Sequence, residues 1–205
     1  MQITQKNAIP RLRTLDMAYI ALFAALMTVC AWVSIPVPKP FVPFTMQTFA
    51  VFAAMMTLGG RRGLYAVTVY ILLGAVGLPV FSGFHGGLGV LLGTTGGYII
   101  GFVGLALVYW LATAKLGDSL PVRITACVLG LAVCYAFGTA WFLMVYAASS
   151  GPIGVLTALN WCVFPFLLPD AVKLTACLEG ISVWSAPSSW AEQAARSVAV
   201  LKTPI

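Results

Sequence analysis

The feature that most constrains this chain is a succession of long, predominantly apolar stretches, the first spanning residues 15–35 and five more following it. A run of 21 residues matches the roughly 20 that an α-helix needs to cross a hydrocarbon core about 30 Å thick. In lipid no water is available to pair exposed peptide groups, so a spanning segment must satisfy its own backbone, and continuous apolar runs do so as helices. Alternating apolar and polar residues, the mark of a membrane β-barrel, are absent. Composition agrees: 61% of residues are hydrophobic and 8% charged, where a soluble domain carries about a quarter charged.

Six spans are read from the pattern. The first, 15–35, is longer than the apolar core of a cleaved signal peptide and is read as retained. Four prolines in residues 36–44 then stop any helix. Spans two and three, 45–58 and 64–76, flank Gly59-Gly60-Arg61-Arg62-Gly63, which reads as a water-facing hairpin. Residues 77–97 hold eight glycines and read as a long loop. Span four is 98–114. Lys115, Asp118, Pro121 and Arg123 mark a turn before span five, 124–147, and span six, 155–183, is interrupted by Pro165 and Pro169. Short cytoplasmic loops retain Lys and Arg. On this layout nine of the eleven cations fall on one side: Lys6, Arg11, Arg13, Arg61, Arg62, Lys115, Arg123, Arg196 and Lys202. The expected architecture is therefore an all-α, polytopic membrane protein with six transmembrane helices and both termini cytoplasmic. A cytoplasmic segment 1–14 precedes the membrane domain 15–183, and a cytoplasmic tail 184–205 follows it.

Several chemistries lack their residues. One histidine, His85, leaves no pair for a zinc site, and no phosphate-binding glycine loop or dinucleotide fingerprint occurs; Gly86-Gly87-Leu88-Gly89 has the wrong spacing. No metal or resident cofactor is expected. The net charge of +6 forms no basic stripe for nucleic acid. Cys30, Cys127, Cys134, Cys162 and Cys177 lie in or beside apolar spans without a Cys-x-x-Cys pair and read as packing residues.

Asp170 and Lys173 are the residues that do not belong in lipid. Each charge near a bilayer centre costs about 2.5–3.5 kcal/mol on insertion scales, which makes the pair a functional-site hypothesis. Their i, i+3 spacing puts an acceptor and a cation on one helix face, in the outer half of the membrane. Pro169 suits a first helical position, so the last helix is expected to begin near Asp170 with free backbone amides beside it. Thr45, Gln47 and Thr48 bring uncharged polar groups into an apolar segment. Ser82, His85 and Tyr98 accompany glycines that allow close backbone approach, and together they read as a lid over a ligand.

At these residues the chain resembles the BioY family, the biotin-binding S components of energy-coupling-factor (ECF) vitamin transporters. Four stretches carry the resemblance: Val42-Pro43-Phe44-Thr45-Met46-Gln47-Thr48; Gly74-Ala75-Val76-Gly77-Leu78-Pro79-Val80-Phe81; Gly86-Gly87-Leu88-Gly89-Val90-Leu91-Leu92-Gly93 with Thr95-Gly96-Gly97-Tyr98; and Asp170 with Lys173. The chain departs from the family at Thr94, where a proline is usual, and at Leu168-Pro169-Asp170, where a Pro-Gly-Asp step is common. The resemblance implies that Asp170 and Lys173 contact biotin while Thr45, Gln47, Ser82, His85 and Tyr98 help enclose it. Either end of the ligand suits Lys173. It further implies a transmembrane coupling protein and two ATPase subunits as partners, ATP being used by those subunits and not by this chain, in a prokaryotic inner (plasma) membrane. Ala18, Ala21 and Ala25, a small-residue face on span one, fit the partner interface. The competing readings are an S component for thiamine or riboflavin, an intramembrane enzyme using Asp170, and a purely structural membrane subunit.

Overall fold

The computed structural model describes residues 13–35, 37 and 42–185. Among the described residues it is mostly helical, with one small hairpin and short connections: α1 Thr14–Trp32, β1 Ser34–Ile35, β2 Phe44–Thr45, α2 Gln47–Leu58, α3 Gly60–Ala75, a 3₁₀ turn Ser82–Phe84, α4 Leu88–Leu91, α5 Gly96–Leu116, α6 Leu120–Ser150, α7 Val155–Cys162 and α8 Phe164–Ser185. All six apolar segments are helical. Four stretches are long and apolar enough to cross a membrane: α1, α5, α6, and α7 with α8 taken as Val155–Gly180. With 12 and 16 residues, α2 and α3 extend only about 18 Å and 24 Å at 1.5 Å per residue, short of a full hydrocarbon core.

On α1 the buried positions Asp16, Ile20, Ala24, Met27 and Cys30 recur every three or four residues and face the bundle. Leu15, Met17, Leu22 and Val29 point outward, as do large apolar side chains on every long helix; such a surface suits lipid. The most extensive helix pair is α5 with α6. A methyl group on Gly97, Gly101, Gly130 or Gly138 would collide with the facing helix, so these backbones touch through small residues, the packing mode of membrane helices.

Three local expectations are corrected. The α2–α3 connection is not a five-residue hairpin: Gly59 alone joins the helices, at φ 79° and ψ 167°, and residues 60–63 are already the first turn of α3. Gly60 lies against the Trp110 backbone and Gly63 against Met55, so these glycines serve packing, not a loop. The segment 77–97 is not one long loop either. It contains the 3₁₀ turn and α4, is pinned by a Phe81–His85 bridge and by Trp32 Nε1 donating to the Pro79 carbonyl at 2.8 Å, and α5 begins at Gly96. Finally, the last helix does not begin near Asp170. The break falls at Val163 (φ −124°, ψ −59°), α8 starts at Phe164, and Pro169 lies inside it. Asp170 therefore has no free helix-end amides beside it; Pro165 takes the helix-initiating position that the sequence reading gave to Pro169.

Among the described residues, the ion pairs other than Asp170–Lys173 gather at one end. Arg62 pairs with Asp16 at 3.1 Å, joining the starts of α1 and α3, and Gly60 on Trp110 brings the α5–α6 turn, with its Arg123–Asp118 ion pair, to the same end. Lys6, Arg11, Lys39, Arg196 and Lys202 lie outside the described residues, as do most of the segment 1–14 and residues 186–205 of the tail.

Candidate functional site

At the end opposite those charges the bundle encloses a cavity of about 450 Å³, within the roughly 300–1,000 Å³ usual for small-molecule sites. Its roof is the β1–β2 hairpin, paired Ser34 with Thr45 and Ile35 with Phe44, together with the 3₁₀ turn. Its walls are the first turn of α2, the start of α5, the middle of α6 and the α7–α8 break.

Of the seven predicted ligand contacts, six line this cavity: Thr45, Gln47, Ser82, His85, Tyr98 and Asp170. They come from five separate elements, so the fold assembles what the sequence scatters over 126 positions, from 45 to 170 inclusive. Lys173 does not line it. Its ammonium donates to Asp170 Oδ1 at 2.7 Å and to the Thr45 carbonyl at 2.7 Å, and sits 4.4 Å from the Phe44 ring centroid. Lys173 is 5% exposed and Asp170 2%. A buried pair of this kind is tolerable only when hydrogen bonds satisfy the remaining valences. Here Tyr135 of α6 supplies one, donating its phenol to Asp170 Oδ2. The carboxylate oxygens retain further lone pairs, and Asp170 faces the cavity with them.

The other polar residues are also fixed in place. Thr45 Oγ1 donates to Gln47 Oε1 at 3.1 Å, Gln47 Nε2 donates to the Tyr70 hydroxyl at 2.5 Å, and that hydroxyl donates to the Val80 carbonyl at 3.1 Å. One chain of hydrogen bonds thus runs from β2 through α2 and α3 into the glycine-rich segment. Tyr98 shares a 3.0 Å hydrogen bond with Thr139, and the exposed His85 holds the Ser82 carbonyl through Nδ1 at 3.0 Å, leaving Nε2 free for another partner. Ala18, Ala21 and Ala25 are exposed along one face of α1, away from the cavity.

Tyr135 was not anticipated from sequence, nor were Cys134 and Cys162, which were assigned to packing and line the cavity. The available signal was the i, i+4 pair Tyr135 and Thr139, two hydroxyls on one face of a helix otherwise apolar there. Among the described residues no cluster of His, Cys, Asp or Glu could hold a metal ion.

Comparison with known proteins places this arrangement. The model of the BioY family matches residues 4–187. The biotin transporter BioY of Thermotoga maritima is 40% identical over 153 residues, covering 75% of this chain and 85% of the relative. A probable biotin transporter BioY of Pyrococcus horikoshii is 37% identical over 158 residues, with 77% and 88% covered. The crystal structure of the S-component for biotin from an ECF-type ABC transporter superposes with a TM-score of 0.69 at 24% identity, over 83% of this chain and 90% of that one, and so shares the fold. With a family model spanning most of its length and relatives well above 30% identity, the chain belongs to the BioY family.

Proposed function

We propose that this chain is the biotin-binding membrane subunit of a vitamin-uptake transporter: it captures biotin from the outer side and delivers it inward, with energy supplied by partner ATPases. It is a transport subunit and not an enzyme. The observation that carries the reading is the Asp170 carboxylate in the wall of the 450 Å³ cavity, backed by Lys173 and Tyr135. Biotin's ureido group offers two N–H donors and a carbonyl acceptor, and an ionised carboxylate is an acceptor-only group suited to those donors. The names of the relatives support biotin over thiamine or riboflavin.

In this reading α1, α2, α3, α5, α6 and α7–α8 make six crossings, the short α2 and α3 being completed by the ordered loops at the cavity end. Both termini lie in the cytoplasm beside the Arg-rich turns, and the membrane is the prokaryotic plasma membrane. Asp170, Gln47, Thr45, Ser82, His85 and Tyr98 contact the ligand. Lys173 holds Asp170 and the β2 carbonyl in position from behind. A coupling protein of an ECF module packs on the Ala18, Ala21 and Ala25 face, and two ATPases complete the transporter.

Calorimetry of biotin binding to detergent-purified protein tests this, beside Asp170→Asn and Lys173→Ala. Tight binding to the unmodified chain, weakened more than tenfold by both changes, is expected. Tight binding indifferent to both removes the proposed site, and no binding by folded protein removes the biotin reading.

A further inference from the structure

Tyr70 of α3 stands behind the site. Its side chain is 1% exposed, does not line the cavity, and packs edge-on against Phe81, with ring centroids 5.6 Å apart and planes at 84°. Gly74, four residues on, leaves room for the Phe81 ring, which a methyl group there would strike. The phenol oxygen is thus held where it meets two groups, the Val80 carbonyl at 3.1 Å and Nε2 of Gln47 at 2.5 Å. A carbonyl only accepts, so the single phenol proton goes to Val80 and a lone pair faces Gln47. Gln47 must therefore turn its NH₂ group, and not its oxygen, to Tyr70. Its oxygen then meets Thr45 Oγ1, which donates to it at 3.1 Å. The reversed amide would set one oxygen against another with no proton between them, in a buried place where an unmade hydrogen bond is costly.

Gln47 lines the cavity, in the same corner as Asp170: the Lys173 ammonium spans from Asp170 Oδ1 to the Thr45 carbonyl, 2.7 Å from each. A carboxamide has two N–H donors and two oxygen lone pairs, and the bonds to Tyr70 and Thr45 use one of each. It keeps one N–H, the kind of donor that the acceptor-only carboxylate cannot give to a ureido carbonyl. Resting on the biotin reading, we propose that Tyr70 is a positioning residue: by giving its proton to Val80 it locks the Gln47 amide in one orientation, and that orientation is a determinant of biotin affinity. Without the phenol hydroxyl both amide orientations are open, and part of the population presents the wrong group to the ligand. The expected loss is that of a single neutral hydrogen bond, about three- to tenfold in affinity.

A double-mutant cycle tests this, with biotin affinity measured in the unmodified chain, in Tyr70→Phe, in Gln47→Ala and in the double variant. Tyr70→Phe, which keeps the ring against Phe81, should weaken binding about three- to tenfold, and Gln47→Ala at least as much. The double variant should match Gln47→Ala to within about twofold, because no amide remains to be oriented. Gln47→Ala leaves the phenol bonded to Val80, so the cycle separates the two bonds of the hydroxyl. Additive losses would mean that Tyr70 acts through Val80 and the roof, and would overturn the proposal, as would unchanged affinity in either single variant. A second measurement does not depend on the folding of Tyr70→Phe: nitrogen-15 spectra of the unmodified protein labelled at its four glutamines, with the Gln47 side-chain signal identified by its loss in Gln47→Ala. Before any ligand is added, one of the two Gln47 amide protons should exchange slowly with solvent. Rapid exchange of both overturns the locked amide while leaving the biotin reading intact. Failure of the unmodified chain to bind biotin overturns the biotin reading and the role in affinity together, whatever the exchange shows.

Discussion

In the half of the bundle around the α2–α3 turn, Met55, Val67, Leu105, Tyr109 and Cys127 are fully buried; Gly60 and Gly130 let helices meet backbone to backbone, and Gly63 admits the Met55 side chain. In the other half the same α2, α5 and α6 line an open cavity. The residue types are similar; the continuity of the backbone differs. The closed half is walled by uninterrupted helices joined by turns as short as Gly59, and regular helices with small residues at the contacts pack without gaps. The open half is walled by segments that cannot pack that way: a hairpin of two-residue strands, the 3₁₀ turn, the four-residue α4 and the α7–α8 break at Val163. Breaks in the helices make the hollow, and polar groups that would be costly elsewhere in lipid collect there because the hollow lets them pair.

The largest effect should come from the buried pair. Lys173→Met removes the ammonium that Asp170 and the Thr45 carbonyl share, leaving a buried carboxylate whose charge is no longer compensated, and such a change costs about 3–5 kcal/mol. Thermal unfolding in micelles should show the loss. Asp170→Asn combined with Lys173→Met should recover most of it, because replacing both members removes the unpaired charge, yet biotin binding should stay abolished. A double variant no more stable than the single one would mean that the pair is not the source of the cost. One that binds biotin normally would mean that the hollow half is only scaffolding.

Tyr135→Phe separates binding from folding more finely. It deletes one hydrogen bond to a charged acceptor, worth about 1.5–3 kcal/mol, while keeping the ring and its packing. If Tyr135 orients the carboxylate for ligand, biotin affinity should fall about ten- to a hundredfold. An unchanged affinity in titration calorimetry would remove Tyr135 from the site.

Gly60→Ala probes the closed half. Its methyl would press on the Trp110 backbone, which cannot swing aside as a flexible side chain would, and overpacking of this kind costs about 1–3 kcal/mol. Stability should drop, and the biotin affinity of the folded protein should stay as it was. Weakened binding in Gly60→Ala would show that the two halves are mechanically coupled.

The closed half was the more legible in sequence. The apolar runs of α1, α5, α6 and α7–α8 announce themselves by length. The intramembrane charges Asp170 and Lys173 were visible because lipid penalises any charge that lacks a purpose. What sequence could not give was direction. Lys173 and Asp170 share a helix face, but only the bundle shows the carboxylate turned to the cavity and the ammonium turned to Thr45, 128 residues away. Tyr135 was hidden because a tyrosine in an apolar helix is commonplace and its partner lies 35 residues on. The 59–63 segment misled because glycine and arginine together look like a loop, whereas here the glycines are contact points within a helix.

The smallest expected effect concerns an anomaly of the closed half. Tyr109 is fully buried, and among the described residues its hydroxyl is the one buried side-chain oxygen or nitrogen without a hydrogen-bond partner. A buried hydroxyl that pairs with nothing carries its desolvation cost without return. Tyr109→Phe removes that group and keeps the ring that fills the space among α3, α5 and α6. The variant should therefore unfold at the same temperature as the unmodified chain or slightly above it, a gain of up to about 1 kcal/mol, with biotin affinity unaltered. A loss of stability would mean that the hydroxyl is satisfied in the membrane, and that the closed half, like the open one, holds a polar contact at its centre.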